Sequence, residues 1–155
     1  QEYEDIKEYQ EAKIRAEELQ AKRTEAFGPD DLSTLNAQAW MANILHDLGQ
    51  YNSSVKIRRS VLESRIKILG PRTSLVALTK QKLARTLHAL GEQEEALSLA
   101  TEAVEIQQEA AGPNDITLKD MMELVTTINT AAPPQGTSVS VTTSQPEDSG
   151  PSAEE

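Results

Sequence analysis

Cysteine is absent from the 155 residues, which excludes disulfides, thiolate metal sites and cysteine nucleophiles together. Aromatic residues make up only 3%, so the core cannot be built from large flat side chains and must rely on Ala, Leu and Val packed between helices. Apolar runs never exceed a few residues, so no segment is expected to span a bilayer. Positive charge is scarce: 15 Lys and Arg face 25 Asp and Glu, a net charge of -10. Nucleic-acid binding is therefore not expected, because phosphate contact needs a cationic footprint. The segment 1–26 is charged and helical in pattern and carries no apolar core of a signal peptide. The expected location is intracellular, most simply the cytoplasm.

What the chain does have is a period. Gly-Pro occurs at Gly28-Pro29, Gly70-Pro71 and Gly112-Pro113, 42 residues apart both times. Leu48-Gly49 recurs at Leu90-Gly91 with the same spacing. On that register Ala42 falls on Ala84, Leu45 on Leu87, His46 on His88, Glu63 on Glu105 and Ser54 on Ala96. Tyr9 falls in the column of Tyr51, so 1–27 reads as the later part of an earlier repeat.

Each period divides in the same way. Gly-Pro stops one helix, since Gly can turn the chain after the last turn and Pro cannot continue the ladder. Asp30, Asp31, Ser33 and Thr34 are candidate N-caps for the next. Helices are expected near 35–48, 52–69, 74–90 and 94–110, with Gly49 and Gly91 turning each hairpin. No stretch keeps up a period-2 alternation, so a sheet is not expected. The organisation is then a partial repeat 1–27, full repeats 28–69 and 70–111, and a capping half-repeat 112–131. There Met121, Leu124, Val125 and Ile128 would cover the previous repeat. Residues 132–155 are rich in Pro, Ser and Thr and acidic; they carry too few large apolar groups to offset the entropy of ordering and read as a disordered tail.

The phrase Phe27-Gly28-Pro29-Asp30-Asp31-Leu32-Ser33-Thr34-Leu35 resembles the opening of a tetratricopeptide repeat of the 42-residue kinesin-light-chain type. Met41-Ala42 and Leu83-Ala84 stand for the Leu-Ala pair of that family. Gly49-Gln50-Tyr51 and Gly91-Glu92-Gln93-Glu94-Glu95-Ala96 stand for its turn phrase, and Pro113-Asn114-Asp115-Ile116-Thr117-Leu118 repeats the opening. The resemblance covers about residues 1–129. It implies an all-α fold: a right-handed superhelical array of antiparallel helix hairpins, about three units and six helices, with a concave groove lined by the first helix of each unit. It also implies a protein-interaction scaffold that binds a peptide or partner segment in that groove. Similar arrays stand at the C-terminal end of large NTPase-type signalling proteins, so the chain is expected to be a C-terminal fragment of one.

Carried onto this sequence column by column, the groove positions are Asn36, Ala39, Asn43 and His46 in one unit, and Leu78, Gln81, Arg85 and His88 in the next. Asn43 can bond a peptide backbone through both ends of its amide, and Arg85 can hold a carboxylate with two bonds. The alternative is a solvated polar face. The family usually places an Asn just before the Leu-Ala pair; this chain has Trp40 and Lys82 there. Trp40 reads as a core residue at the hairpin seam, or else as an exposed anchor. His46 and His88 share a column, but two histidines do not make a zinc site, and no metal or other cofactor is expected. The basic cluster Lys56, Arg58, Arg59, Arg65 and Lys67 gives residues 28–69 a net charge of +1 within an acidic chain. It reads first as a solvated face; as alternatives Arg58 and Arg65 could pair with acids such as Glu17 and Glu18, or receive an acidic partner or the chain's own tail.

No Gly-rich phosphate loop, His-Glu-x-x-His or nucleophile–base pair is present, so an enzyme is not expected. Two other readings remain beside the scaffold. One is a structural spacer or sensor array within the larger protein, with Tyr3, Ile6, Tyr9 and Leu19 stacked on upstream repeats. The other is self-association through the open N-terminal end.

Overall fold

The computed structural model describes residues 2–131. The expected tail, 132–155, lies outside the described residues. Six helices follow one another: α1 (Glu2–Phe27), α2 (Leu32–Asp47), α3 (Tyr51–Leu69), α4 (Ser74–Ala89), α5 (Gln93–Ala111) and α6 (Ile116–Thr130). No strand occurs among the described residues. Each helix packs on its neighbours in the chain, and α4 also touches α6.

The period sets the boundaries. Asp31, Thr73 and Asp115, spaced by 42, are the N-caps of α2, α4 and α6. Their side-chain oxygens accept from Ser33 N at 2.8 Å, Val76 N at 3.4 Å and Thr117 N at 2.9 Å, which satisfies an amide that the helix start leaves without a partner. Because the capping residue is Asp31, α2 begins at Leu32, three residues earlier than the apolar pattern implies. The hairpin turns close alike. Gln50 N donates to Leu45 O at 2.8 Å and Glu92 N to Leu87 O at 2.9 Å. This is the six-to-one bond of a helix end with Gly, here Gly49 at φ 75°, in the left-handed region.

Small residues let the helices approach. Ala16, Ala37, Ala42, Ala77, Ala84, Ala96 and Ala103 are fully buried. Three apolar clusters fill the seams. Ala16, Met41, Ile44 and Leu45 join α1 to α2. Val55, Leu83, Ala84, Leu87, Ala96, Ala100, Leu124 and Ile128 tie α3 to α6 through the middle of the array. Val76, Ala77, Ala103, Ile106 and Met121 complete the other end of the same helices.

The two ends of the array differ. Where α4 buries Ala77, Ala84 and Leu87, the matching columns of α6 hold exposed Lys119, Thr126 and Asn129. The outer face of α6 is mostly polar, as a capping helix requires, with Met122 half exposed beside Lys119 and Thr126. In α1, residues 2–11 are all exposed and Ala16 is the one buried residue. The helix also runs unbroken through Lys7, the column in which Gly49 and Gly91 turn the chain.

Candidate functional site

The site lies where α2, α3 and α4 meet. Residues three and four apart on a helix share a face, so Asn36, Ala39 and Asn43 of α2 stand opposite Leu75, Leu78 and Lys82 of α4. With Val61 of α3 they line a recess of about 230 Å³. Its walls are apolar (Ala39, Val61, Leu75, Leu78) and its polar groups come in two sets.

Each set is a rung across three helices. Arg65 Nη2 donates to Asn36 Oδ1 at 2.7 Å, and Arg65 Nη1 donates to Thr79 Oγ1 at 2.8 Å. One heptad away, Arg58 Nη2 donates to Asn43 Oδ1 at 3.0 Å, and Arg58 Nε donates to Thr86 Oγ1 at 3.1 Å. Because α3 runs antiparallel to α2 and α4, a step of seven up α2 and α4 matches a step of seven down α3. The threonines are held ready: Thr79 donates its own hydrogen to Leu75 O at 2.7 Å, and Thr86 to Lys82 O at 3.1 Å. Each oxygen is then turned toward its arginine.

Both arginines are only 5% exposed. The expected solvated face, or pairing with Glu17 and Glu18, is not what the fold builds. Among the described residues no carboxylate comes within salt-bridge distance of either guanidinium. Two surface arginines are served differently, with Arg59 paired to Glu95 and Arg72 to Glu109. Burial without a counter-charge disfavours the cation. Burial is the main cause that lowers Arg58 to about 10; the Arg85 charge adds to it and Asp47 opposes it. Arg65 is lowered by burial, and its Nε has no partner among the described residues.

A second recess of about 260 Å³ adjoins the first, sharing Asn43, Arg58 and Lys82 and adding His46, Asp47 and Arg85. Lys82 is pushed down by burial, then by Arg85 and Arg58, against the pull of Asp47. His46 is held below its usual 6.5 chiefly by burial and next by Arg58, again with Asp47 opposing. Its Nδ1 lies 3.0 Å from Thr86 Oγ1 and its ring meets Tyr51 edge-on at 5.1 Å.

Of the groove positions read from the sequence, Asn36, Ala39, Asn43 and Leu78 line the first recess, and Asn43, His46 and Arg85 the second. Gln81 is buried at 6% exposure and lines neither recess. His88 sits at the hairpin end, 2.7 Å from Gln93 Oε1. Trp40 is 42% exposed, which corrects its reading as core. Arg58, Arg65, Lys82 and Thr79 were missed as site residues. The signal for Arg58 was in the register. Its column otherwise holds Ala16 and Ala100, and the column of its partner Thr86 otherwise holds Ile44 and Ile128. Ala16 packs with Ile44 and Ala100 with Ile128 in the apolar seams. In the middle repeat an Arg–Thr pair replaces an Ala–Ile pair.

Residues 33–109 match the family of tetratricopeptide repeats. Two solved structures are similar: TPR-like repeats of the kinesin-light-chain kind, nearly identical to one another, from Podosopora anserina, and a variant of them with a Gln replaced by Met. Each superposes with a TM-score of 0.73 at 21% identity, covering 82% of this chain and 60% of the other. The chain thus spans about three fifths of the length of those structures. No curated protein sequence matches it.

Proposed function

Residues 33–109 belong to the tetratricopeptide repeat family, and from that premise we propose that the chain recognises a segment of a partner protein along α2 and α4. Repeats of this family are protein-interaction scaffolds and carry no chemistry of their own. The array would comprise residues 1–131, with 132–155 appended as a tail. The observation that carries the reading is the recess between α2 and α4, with apolar walls and two oriented amides.

Arg65 and Arg58 each engage an amide oxygen, of Asn36 and Asn43. The two amide nitrogens are left as donors for a partner's carbonyls. Seven residues of helix separate them by about 10 Å, the reach of about three residues of extended chain. Leu78, 39% exposed, lines the same recess and offers an apolar contact there. An extended segment with one apolar side chain fits this arrangement.

The test is capture of partners from a cell lysate by the chain and by Leu78→Asp. Leu78 is exposed enough for the substitution to leave the fold intact, so lost capture with unchanged helix content supports the groove. Equal capture by both, or none by either, assigns the repeats to a spacer role.

A further inference from the structure

The smaller recess holds more positive charge than the fold itself can use. Arg58, Lys82 and Arg85 reach it from α3 and α4, and Asp47 is the one carboxylate among its lining residues. Asp47 forms no ion pair with any of the three. Arg58 spends Nε and Nη2 on Ser54, Thr86 and Asn43, and no bond from its Nη1 occurs among the described residues. Lys82 and Arg85 likewise show no side-chain bond to a described residue. Three cations against one carboxylate leave two charges uncompensated in a concave site, one of them on a side chain 95% buried. The fold has placed nothing comparable elsewhere in the register, since the Arg58 column is Ala16 and Ala100 in the other repeats.

We propose that the recess formed by Asn43, Arg58, Lys82 and Arg85 is a binding site for a phosphoryl group. A dianion matches the surplus of two charges, and a tetrahedral oxyanion can accept from three donors converging from different directions. A planar carboxylate is satisfied by one forked guanidinium and would leave the others unmatched. The amide nitrogen of Asn43, which lines the same recess, adds a neutral donor. Lys82 is lowered first by burial and then by repulsion from Arg85 and Arg58, and that repulsion is what the anion would relieve.

Titration of the 155-residue chain followed by NMR of its backbone and guanidinium N–H groups tests this, at constant ionic strength. Inorganic phosphate is one arm and a short peptide with a single phosphoserine the other; acetate and the same peptide with Asp are the controls. Saturable shifts at Asn43, Arg58 and Thr86 are expected with the phosphoryl ligands, at concentrations about tenfold below those of the carboxylate controls. Response to both phosphoryl arms marks a site for small phosphorylated molecules as well as for chains, and response to the peptide alone marks a modified partner. Lys82→Gln and Arg85→Gln, both away from the apolar seams, should each weaken binding about tenfold. Equal response to acetate, no saturation in either phosphoryl arm, or unchanged affinity in the two variants overturns the proposal.

Discussion

Arg58 Nε meets Thr86 Oγ1 at 3.1 Å, joining α3 to α4 in the place where the neighbouring repeats pack an alanine on an isoleucine. Both partners of the contact have changed together. A guanidinium needs volume and an acceptor; replacing Ile by Thr supplies both, since the exchange of an ethyl branch for a hydroxyl shortens the side chain and adds an oxygen. The pair is a unit, and its energetics should show it.

Thr86→Ile alone leaves a buried guanidinium facing a methyl group and should destabilise by about 2–4 kcal/mol. Arg58→Ala alone leaves a void and should destabilise by about 2 kcal/mol. The double variant recreates the Ala–Ile pair of the flanking seams. Its loss should fall short of the summed singles by about 1–2 kcal/mol, read as a coupling energy from urea unfolding of all four proteins. Strict additivity would show that the two residues do not act as a pair.

Gly70 ends α3 at φ 86°, ψ 164°, a region that residues with a Cβ scarcely enter. A Cβ built there meets nothing within 4 Å, so the cost of Gly70→Ala is one of backbone alone. The variant should lose about 1–3 kcal/mol, seen as a lower urea midpoint with an unchanged slope.

Such glycines made the fold legible. A Gly-Pro pair recurring at a fixed interval is a local, covalent signal: it sets φ, removes an N–H, and needs no knowledge of what packs around it. That Asn43 and Arg85 line one recess was legible for the same reason, because a column in a repeat fixes which face of the helix it occupies. Burial of charge was not. Arg58 and Arg65 sit seven apart on a helix with three more cations, which is how a solvated stripe reads. Only the neighbours contributed by α2 and α4 turn that stripe inward. Trp40 erred in the opposite direction, since a lone tryptophan suggests core, whereas its column passes to Lys82 and the residue is left 42% exposed.

His46 is held below its ordinary value of 6.5 by burial and by Arg58. In the unfolded chain it returns to about 6.5, so below that pH the unfolded state binds more protons than the folded one. Stability from this residue is complete above about pH 6.5 and is lost as the pH falls toward the depressed folded value. The unfolding free energy of the wild type should therefore drop more steeply than that of His46→Gln between about pH 7 and pH 5. Equal slopes would place the imidazole in open solvent.

The array should open from its N-terminal end. Local opening follows how much apolar surface a segment buries and on how many sides it is held. α4 is packed between α3 and α5, also touches α6, and buries Val76, Ala77, Leu83, Ala84 and Leu87. α1 is held by α2, and its residues 2–11 bury nothing while exposing Tyr3, Ile6 and Tyr9. Seven of those residues also extend past the level at which later hairpins turn, so they project beyond the next helix. Amide exchange should be fastest in residues 2–11, intermediate over 12–27 where Ala12 and Ala16 meet α2, and slowest in α4 and α5. A partner seated between α2 and α4 should protect α4 further and leave residues 2–11 unchanged. Protection of residues 2–11 that rises with protein concentration would instead show copies of the chain joining through α1.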